Sequence, residues 1–129
     1  MNDAADVPVL IVDDQAAFRS AARTVVSLLA GFAVAAEAES GEQALEVAPT
    51  LGPALVLMDI NLGGLTGIEA TRRLTTDHPD LVVVLMSTYT EADLPADARQ
   101  CGAAAYLHKE DLAPDVLRDL WVERHPVGS

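Results

Sequence analysis

The chain has a single cysteine, Cys101, in 129 residues. No intrachain disulfide can form, and the thiol, set between Gln100 and Gly102, reads as a small buried apolar residue. Long apolar runs are also missing. The longest, Leu81–Met86, is far too short to cross a bilayer, and no basic stretch followed by an apolar one marks the N-terminus. A cytoplasmic location without membrane contact is therefore expected. Basic residues are scarce, eight against twenty acidic ones, for a formal charge of -12. That charge repels phosphate backbones and no basic patch offsets it, so direct nucleic-acid binding by this chain is not expected. No Gly/Ser or Pro-rich linker interrupts the sequence, and His78, His108 and His125 show no metal-ligand spacing.

What is present is an ordinary globular composition, 50% hydrophobic and 22% charged, in a length that suits one domain without disulfides or a structural metal. A single domain over residues 1–129, with its core at about 7–124, is expected. Short β-branched runs alternate with alanine-rich helix-period segments, the mark of a parallel sheet with crossover helices. The predicted strands are Val7–Val12, Phe32–Glu37, Ala54–Met58, Leu81–Met86 and Ala104–Leu107. Runs apolar at nearly every position suit central strands covered on both faces, which makes Met58 and Met86 core residues. Five helices are predicted: Ala16–Leu29 with Ala17, Ala21, Val25 and Leu28 on its apolar side, a second beginning at Ser40 and ended by Pro49, then Gly67–Thr76, Leu94–Cys101 and Asp115–Glu123. Ser40 with Gln43 makes a capping box, Val116, Leu117 and Leu120 form the apolar side of the last helix, and Trp121 reads as a partly buried packing residue.

In an open parallel α/β sheet the working site lies at the carboxyl ends of the strands. There the sequence places Asp13 and Asp14 after the first run, Asp59 after the third, Ser87 after the fourth and Lys109 after the fifth. Three carboxylates brought together repel by about 4 kcal/mol per pair at contact distance with an effective dielectric of about 20, so a cation is needed among them. The donors are oxygen, which points to a hard ion, and Mg2+ suits best because it takes a few carboxylates and keeps several waters. A lone strand-terminal aspartate is more often a turn or cap residue, and Asp13 or Asp14 is expected also to cap the first helix. A doublet, a third aspartate, a hydroxyl and a lysine at four different strand ends are not explained that way.

This constellation resembles the receiver domains of bacterial two-component response regulators, over essentially the whole chain from Val7 to about Arg124. The resemblance is carried by Val9-Leu10-Ile11-Val12-Asp13-Asp14, Leu55-Val56-Leu57-Met58-Asp59-Ile60-Asn61-Leu62, Gly67-Ile68-Glu69-Ala70, Val83-Val84-Leu85-Met86-Ser87-Thr88 and Gly102-Ala103-Ala104-Ala105-Tyr106-Leu107-His108-Lys109. It implies a doubly wound five-stranded parallel sheet of order 2-1-3-4-5 flanked by five helices, the flavodoxin-like receiver fold, for which a receiver domain is itself a standard example. It implies further that Asp59 accepts a phosphoryl group from a sensor histidine kinase, and that Asp13, Asp14, Asp59 and the Asn61 backbone carbonyl hold Mg2+. Lys109 would pair with a phosphoryl oxygen, or with Asp59 in its absence. Ser87 would be the switch hydroxyl and Tyr106 the aromatic switch residue. The protein would not be an enzyme beyond catalysing its own phosphorylation and dephosphorylation, and a homodimer formed on phosphorylation is implied.

Three positions depart from the family pattern. Glu110 follows Lys109 where many members have proline, which argues against a cis peptide there, since without proline it costs about 2.5–4 kcal/mol. Gly63-Gly64 stands where a proline is common, which predicts a mobile loop after Asp59. Thr88 follows Ser87 where alanine is usual, making it a second candidate for the hydroxyl role. His108, beside Lys109, is a minor candidate for tuning phosphate access. Competing readings are a degenerate receiver acting as a constitutive protein-binding module, an aspartate-nucleophile phosphatase and a flavodoxin-like cofactor carrier. The first would lack a site residue and none is missing, the second needs a cap or lid for which there is no room, and the third needs a phosphate loop after the first strand. Nothing after Arg124 resembles a helix-turn-helix, although Tyr106–Asp111 is similar to receivers of regulators that carry one.

Overall fold

Five strands, β1 (Val7–Val12), β2 (Phe32–Ala38), β3 (Ala54–Asp59), β4 (Leu81–Ser87) and β5 (Ala105–His108), pair in parallel in the order β2-β1-β3-β4-β5. The structure is a computed structural model that describes residues 6–88 and 94–124. The strand order and the doubly wound class are those expected. Around the sheet lie α1 (Ala16–Ser27), α2 (Gly41–Val47), α3 (Gly67–Asp77) and α4 (Pro114–Arg124).

Strands β3 and β4 are buried at every position, which is why both read as unbroken apolar runs. Successive side chains point to opposite faces and divide the core in two. Leu10, Val12, Val56, Met58, Val83 and Leu85 pack with Ala44 of α2 and Leu74 of α3. On the other face Val9, Ile11, Leu55, Leu57, Val84 and Met86 pack with Ala22 and Val26 of α1 and Leu117 of α4. Cys101 is buried, its Sγ 3.2 Å from the Ala98 carbonyl, and Trp121 meets Phe32 edge to face at 6.2 Å.

Helix α2 begins as its sequence dictates. The Gln43 N–H donates to Ser40 Oγ (3.1 Å) and Gln43 Oε1 accepts from the Glu39 N–H (2.7 Å). The α-helix stops at Val47, and Pro49 sits in a single 3-10 stretch, Ala48–Leu51. Helix α1 differs from expectation in which face it buries. Ala22, Val26 and Leu29 are buried, and of the expected side only Val25 packs against the core, while Leu28 is 71% exposed and Ala17 and Ala21 are exposed. In an alanine-rich helix two neighbouring stripes satisfy the same three- and four-residue spacing. The stripe with the larger residues, Phe18–Ala22–Val26–Leu29, is the one turned inward.

Among the described residues there are four α-helices rather than five. Leu94–Cys101, expected to be helical, holds only a 3-10 stretch over Ala96–Gln100. Pro95 disfavours helical geometry at Leu94, and Gly102, at φ +96°, turns the chain away at the other end. Only glycine fits there, because a Cβ would also lie 2.3 Å from Thr75 Oγ1. No helix among the described residues is long and apolar enough to cross a membrane.

Candidate functional site

Because β1 is flanked by β2 on one side and β3 on the other, the loops leaving β1 and β3 diverge and open a crevice at the carboxyl edge of the sheet. Asp13 and Asp14 follow β1 and Asp59 ends β3, so three carboxylates meet in that crevice. One oxygen from each lies within 4.8 Å of the others. A cavity of about 190 Å³ opens beside them, lined by Asp14, Gln15, Asp59, Asn61, Thr88 and Lys109.

Asp13 is fully buried and every part of it is held. Its N–H donates to the Ala38 carbonyl (3.0 Å), Oδ1 accepts from the Gln15 N–H (2.8 Å) and Oδ2 accepts from Lys109 Nζ (2.7 Å). Its carbonyl accepts from Arg19 Nη1 (2.7 Å), and Arg19 is in turn paired with Glu37 of β2 (3.2 Å). Neither aspartate of the doublet caps α1. The cap residue is Gln15, which makes no side-chain cap bond, because the Asp13 carboxylate closes the preceding turn instead. Asp14 is exposed at the mouth of the crevice.

Asp59 is 5% exposed, and its Oδ1 accepts from the Asn61 N–H (3.1 Å). The strand end is fixed by the Ile60 N–H, which donates to the Met86 carbonyl (2.9 Å). Gly67 packs against it so closely that a Cβ would lie 2.0 Å from the Asp59 carbonyl oxygen. In the loop between them, expected to be mobile, Leu62 is buried in the core and the Leu65 N–H donates to Glu42 Oε2 (3.2 Å).

Lys109 begins a 3-10 turn directly after β5. Its ammonium makes its short contact with Asp13 and lies 3.7 Å from Asp59 Oδ1, so the expected pairing with Asp59 is the longer of two. The Lys109–Glu110 peptide is trans, as all described peptide bonds are. His108 straddles this turn. Its Nδ1 accepts from the Glu110 N–H (3.1 Å), and its Nε2 is 3.1 Å from the Thr88 carbonyl. Ser87 is 4% exposed at the end of β4, whereas Thr88 reaches the cavity wall. Tyr106 is half-buried on β5 with the Arg99 guanidinium 5.8 Å from its ring centroid, and burial pushes its hydroxyl pKa up.

The electrostatics suit a cation. Burial raises the Asp59 carboxyl above its ordinary value, the Asn61 N–H opposes that, Asp13 raises it further, Lys109 lowers it and Asp14 raises it. Ionising Asp59 beside its two acidic neighbours is thus unfavourable without a further positive charge. An all-oxygen donor set with one exposed member, Asp14, fits a hard divalent ion that retains water.

The model of the response regulator receiver domain matches residues 9–120. The response regulator GacA of Pseudomonas protegens is 41% identical over 103 residues, 80% of this chain and 48% of that protein. UvrY of Escherichia coli K12, also a response regulator, is 37% identical over 111 residues, 86% of this chain and 51% of that one. Among solved structures, the signal receiver domain of the response regulator NarL from Mycobacterium tuberculosis superposes with a TM-score of 0.83 at 25% identity, covering 95% of this chain and 98% of that one. The chain belongs to the response regulator receiver domain family. It spans about half the length of the curated relatives it matches.

Sequence reasoning placed Asp13, Asp14, Asp59 and Lys109 at one edge, and the structure brings them together. It missed Gln15 in the cavity wall, Arg19 on the Asp13 carbonyl and Phe18, whose ring lies 4.5 Å from Lys109 Nζ. Arg19 had a signal, being one of few basic residues and six positions after Asp13. Phe18 had one too, as the bulkiest residue of the stripe that turns inward.

Proposed function

We propose that this receiver domain is a phosphorylation switch in which Asp59 accepts a phosphoryl group from a phosphohistidine of a sensor kinase. An Asp59 carboxylate oxygen attacks phosphorus, the new O–P bond forms as the P–N bond breaks, and the departing imidazole nitrogen keeps the electron pair. The observation that supports this best is the meeting of Asp59 with Asp13, Asp14 and the Lys109 ammonium around an open cavity. Asp13, Asp14, Asp59 and the Asn61 carbonyl would hold Mg2+, which supplies charge neutralisation at the phosphoryl oxygens. Lys109 would move from Asp13 to a phosphoryl oxygen. Ser87 would donate to another, with Tyr106 following it inward. The domain acts on no separate substrate, its partners are the kinase and a second phosphorylated copy, and its place is the cytoplasm as one domain over 1–129.

Treatment with acetyl phosphate and Mg2+ should add one phosphoryl group by intact mass, and Asp59→Asn should abolish it. Equal modification of Asp59→Asn would refute the assignment. No modification of the wild type by either acetyl phosphate or phosphorylated kinase would favour a receiver that binds partners without phosphorylation.

A further inference from the structure

Lys109 is the one cation that reaches both Asp13 and Asp59 among the described residues, and its ammonium has a third neighbour that is not a carboxylate. Nζ lies 4.5 Å from the centroid of the Phe18 ring, inside the distance of about 6 Å over which a ring face attracts a cation. Phe18 stands on the first turn of α1, half-buried and packed against the core face that also holds Ile11, Ala22 and Met86. The ring is therefore fixed by the core on one side and offered to the ammonium on the other.

We propose that Phe18 is a positioning residue for Lys109, holding its ammonium at the cavity when the carboxylates are no longer free to do so. This rests on the reading that Lys109 binds a phosphoryl oxygen and that a divalent cation occupies the aspartates. The carboxylate contacts at 2.7 and 3.7 Å are the very groups a divalent cation would claim, and that cation would repel the ammonium as well. An aromatic face is not a ligand for such an ion, so the contact with Phe18 survives its arrival. It restricts a four-carbon stem that would otherwise swing into solvent, and keeps Nζ beside Asp59 where the incoming phosphoryl group arrives.

The test uses the whole chain with Phe18→Leu, which keeps apolar bulk and removes the ring, and Phe18→Tyr, which restores a ring. Should Phe18→Leu fail to fold by circular dichroism, Phe18→Met replaces it. In NMR spectra the Lys109 ε-methylene protons should show an upfield ring-current shift, with and without Mg2+, in wild type and Phe18→Tyr but not in Phe18→Leu. The rate of phosphorylation by acetyl phosphate should fall about two- to five-fold in Phe18→Leu, recover in Phe18→Tyr, and be insensitive to Phe18→Leu on a Lys109→Met background. Loss of the upfield shift when Mg2+ is added, equal rates in Phe18→Leu and wild type, or equal losses in Phe18→Leu and Phe18→Tyr would overturn the proposal while leaving the phosphorylation reading intact. A wild type that takes up no phosphoryl group overturns that reading, and this role of Phe18 with it.

Discussion

Lys109 and Asp13 stand 96 positions apart in the chain and 2.7 Å apart in space, with Asp13 wholly buried and the lysine side chain 15% exposed. This pair joins the end of β5 to the end of β1 across the crevice and supplies the ammonium that offsets three acids. Removing the lysine leaves a buried carboxylate without its counter-charge, at a cost of roughly 3–5 kcal/mol. Lys109→Met, which keeps the apolar stem, should therefore be destabilised by that order in urea denaturation with EDTA present. Mg2+ should then bind about tenfold more tightly than to the wild type or better, since no ammonium competes for Asp13. Titration calorimetry showing equal or weaker Mg2+ affinity in the variant would mean that Asp13 is not a ligand.

Asp59 gives the metal-free protein a defined pH dependence. Its folded-state pKa is raised above the ordinary carboxylate value, first by burial and then by its acidic neighbours. Folding therefore favours the protonated acid. The associated stability is fully present below the unfolded carboxylate pKa of about 3.9 and is lost as pH rises through the higher folded value. At pH 7 the ionised side chain is a net cost, so Asp59→Asn should be more stable than the wild type in EDTA. The difference should close as pH falls below about 4. Thermal melts from pH 3.5 to 7.5 measure this, and a constant difference across the range would contradict the electrostatic origin.

Gly67 has to be glycine for a reason located at Asp59. A methyl group there would sit 2.0 Å from the Asp59 carbonyl oxygen, 2.9 Å from its carbonyl carbon and 3.0 Å from the Ile60 Cα. These are backbone atoms of a buried strand end and cannot rotate aside, so α3 or β3 must shift. Gly67→Ala should cost about 1–3 kcal/mol in denaturant stability, the range of an overpacked core. It should also slow phosphorylation at Asp59 in the molecules that remain folded. Stability within about 0.5 kcal/mol of wild type would show that the helix can retreat without strain.

Much of this architecture was legible because the strands announce themselves. β3 and β4 are buried along their whole length and are correspondingly apolar, and Asp13, Asp59, Ser87 and Lys109 each stand at or directly after a strand end. Less legible was anything that depends on which of two nearly equivalent surfaces turns inward. Helix α1 offered an alanine-rich stripe and a second with Phe18, and the spacing alone did not choose between them. The segment from Leu94 looked helical by composition, yet Pro95 and Gly102 bound it so tightly that only a 3-10 stretch forms. The partner of Lys109 was legible in part: the expected contact with Asp59 is there at 3.7 Å, but the shorter one, 2.7 Å, is with the wholly buried Asp13.

Two hydroxyls are candidates for the proposed switch role, and their placement separates them for an experiment. Ser87 is buried at the end of β4, paired in register with His108 of β5, while Thr88 lines the cavity and its carbonyl lies 3.1 Å from His108 Nε2. If Ser87 is the switch, Ser87→Ala removes a hydrogen bond to a charged oxygen worth about 1.5–3 kcal/mol and touches neither the nucleophile nor the aspartates. A receiver populating inactive and active forms before modification would then slide back toward the inactive one, since a phosphoryl group shifts the balance only by what it binds differently in the two. In NMR spectra of the beryllofluoride-treated protein, Ser87→Ala and Tyr106→Ala should bind the phosphoryl mimic. They should nonetheless show much smaller shift changes over Ala105–His108 and Pro114–Arg124 than the wild type. Thr88→Val should leave those changes intact. The reverse pattern, a silent Ser87→Ala and an impaired Thr88→Val, would move the switch to Thr88. Full shift changes in Tyr106→Ala would remove the aromatic residue from the coupling.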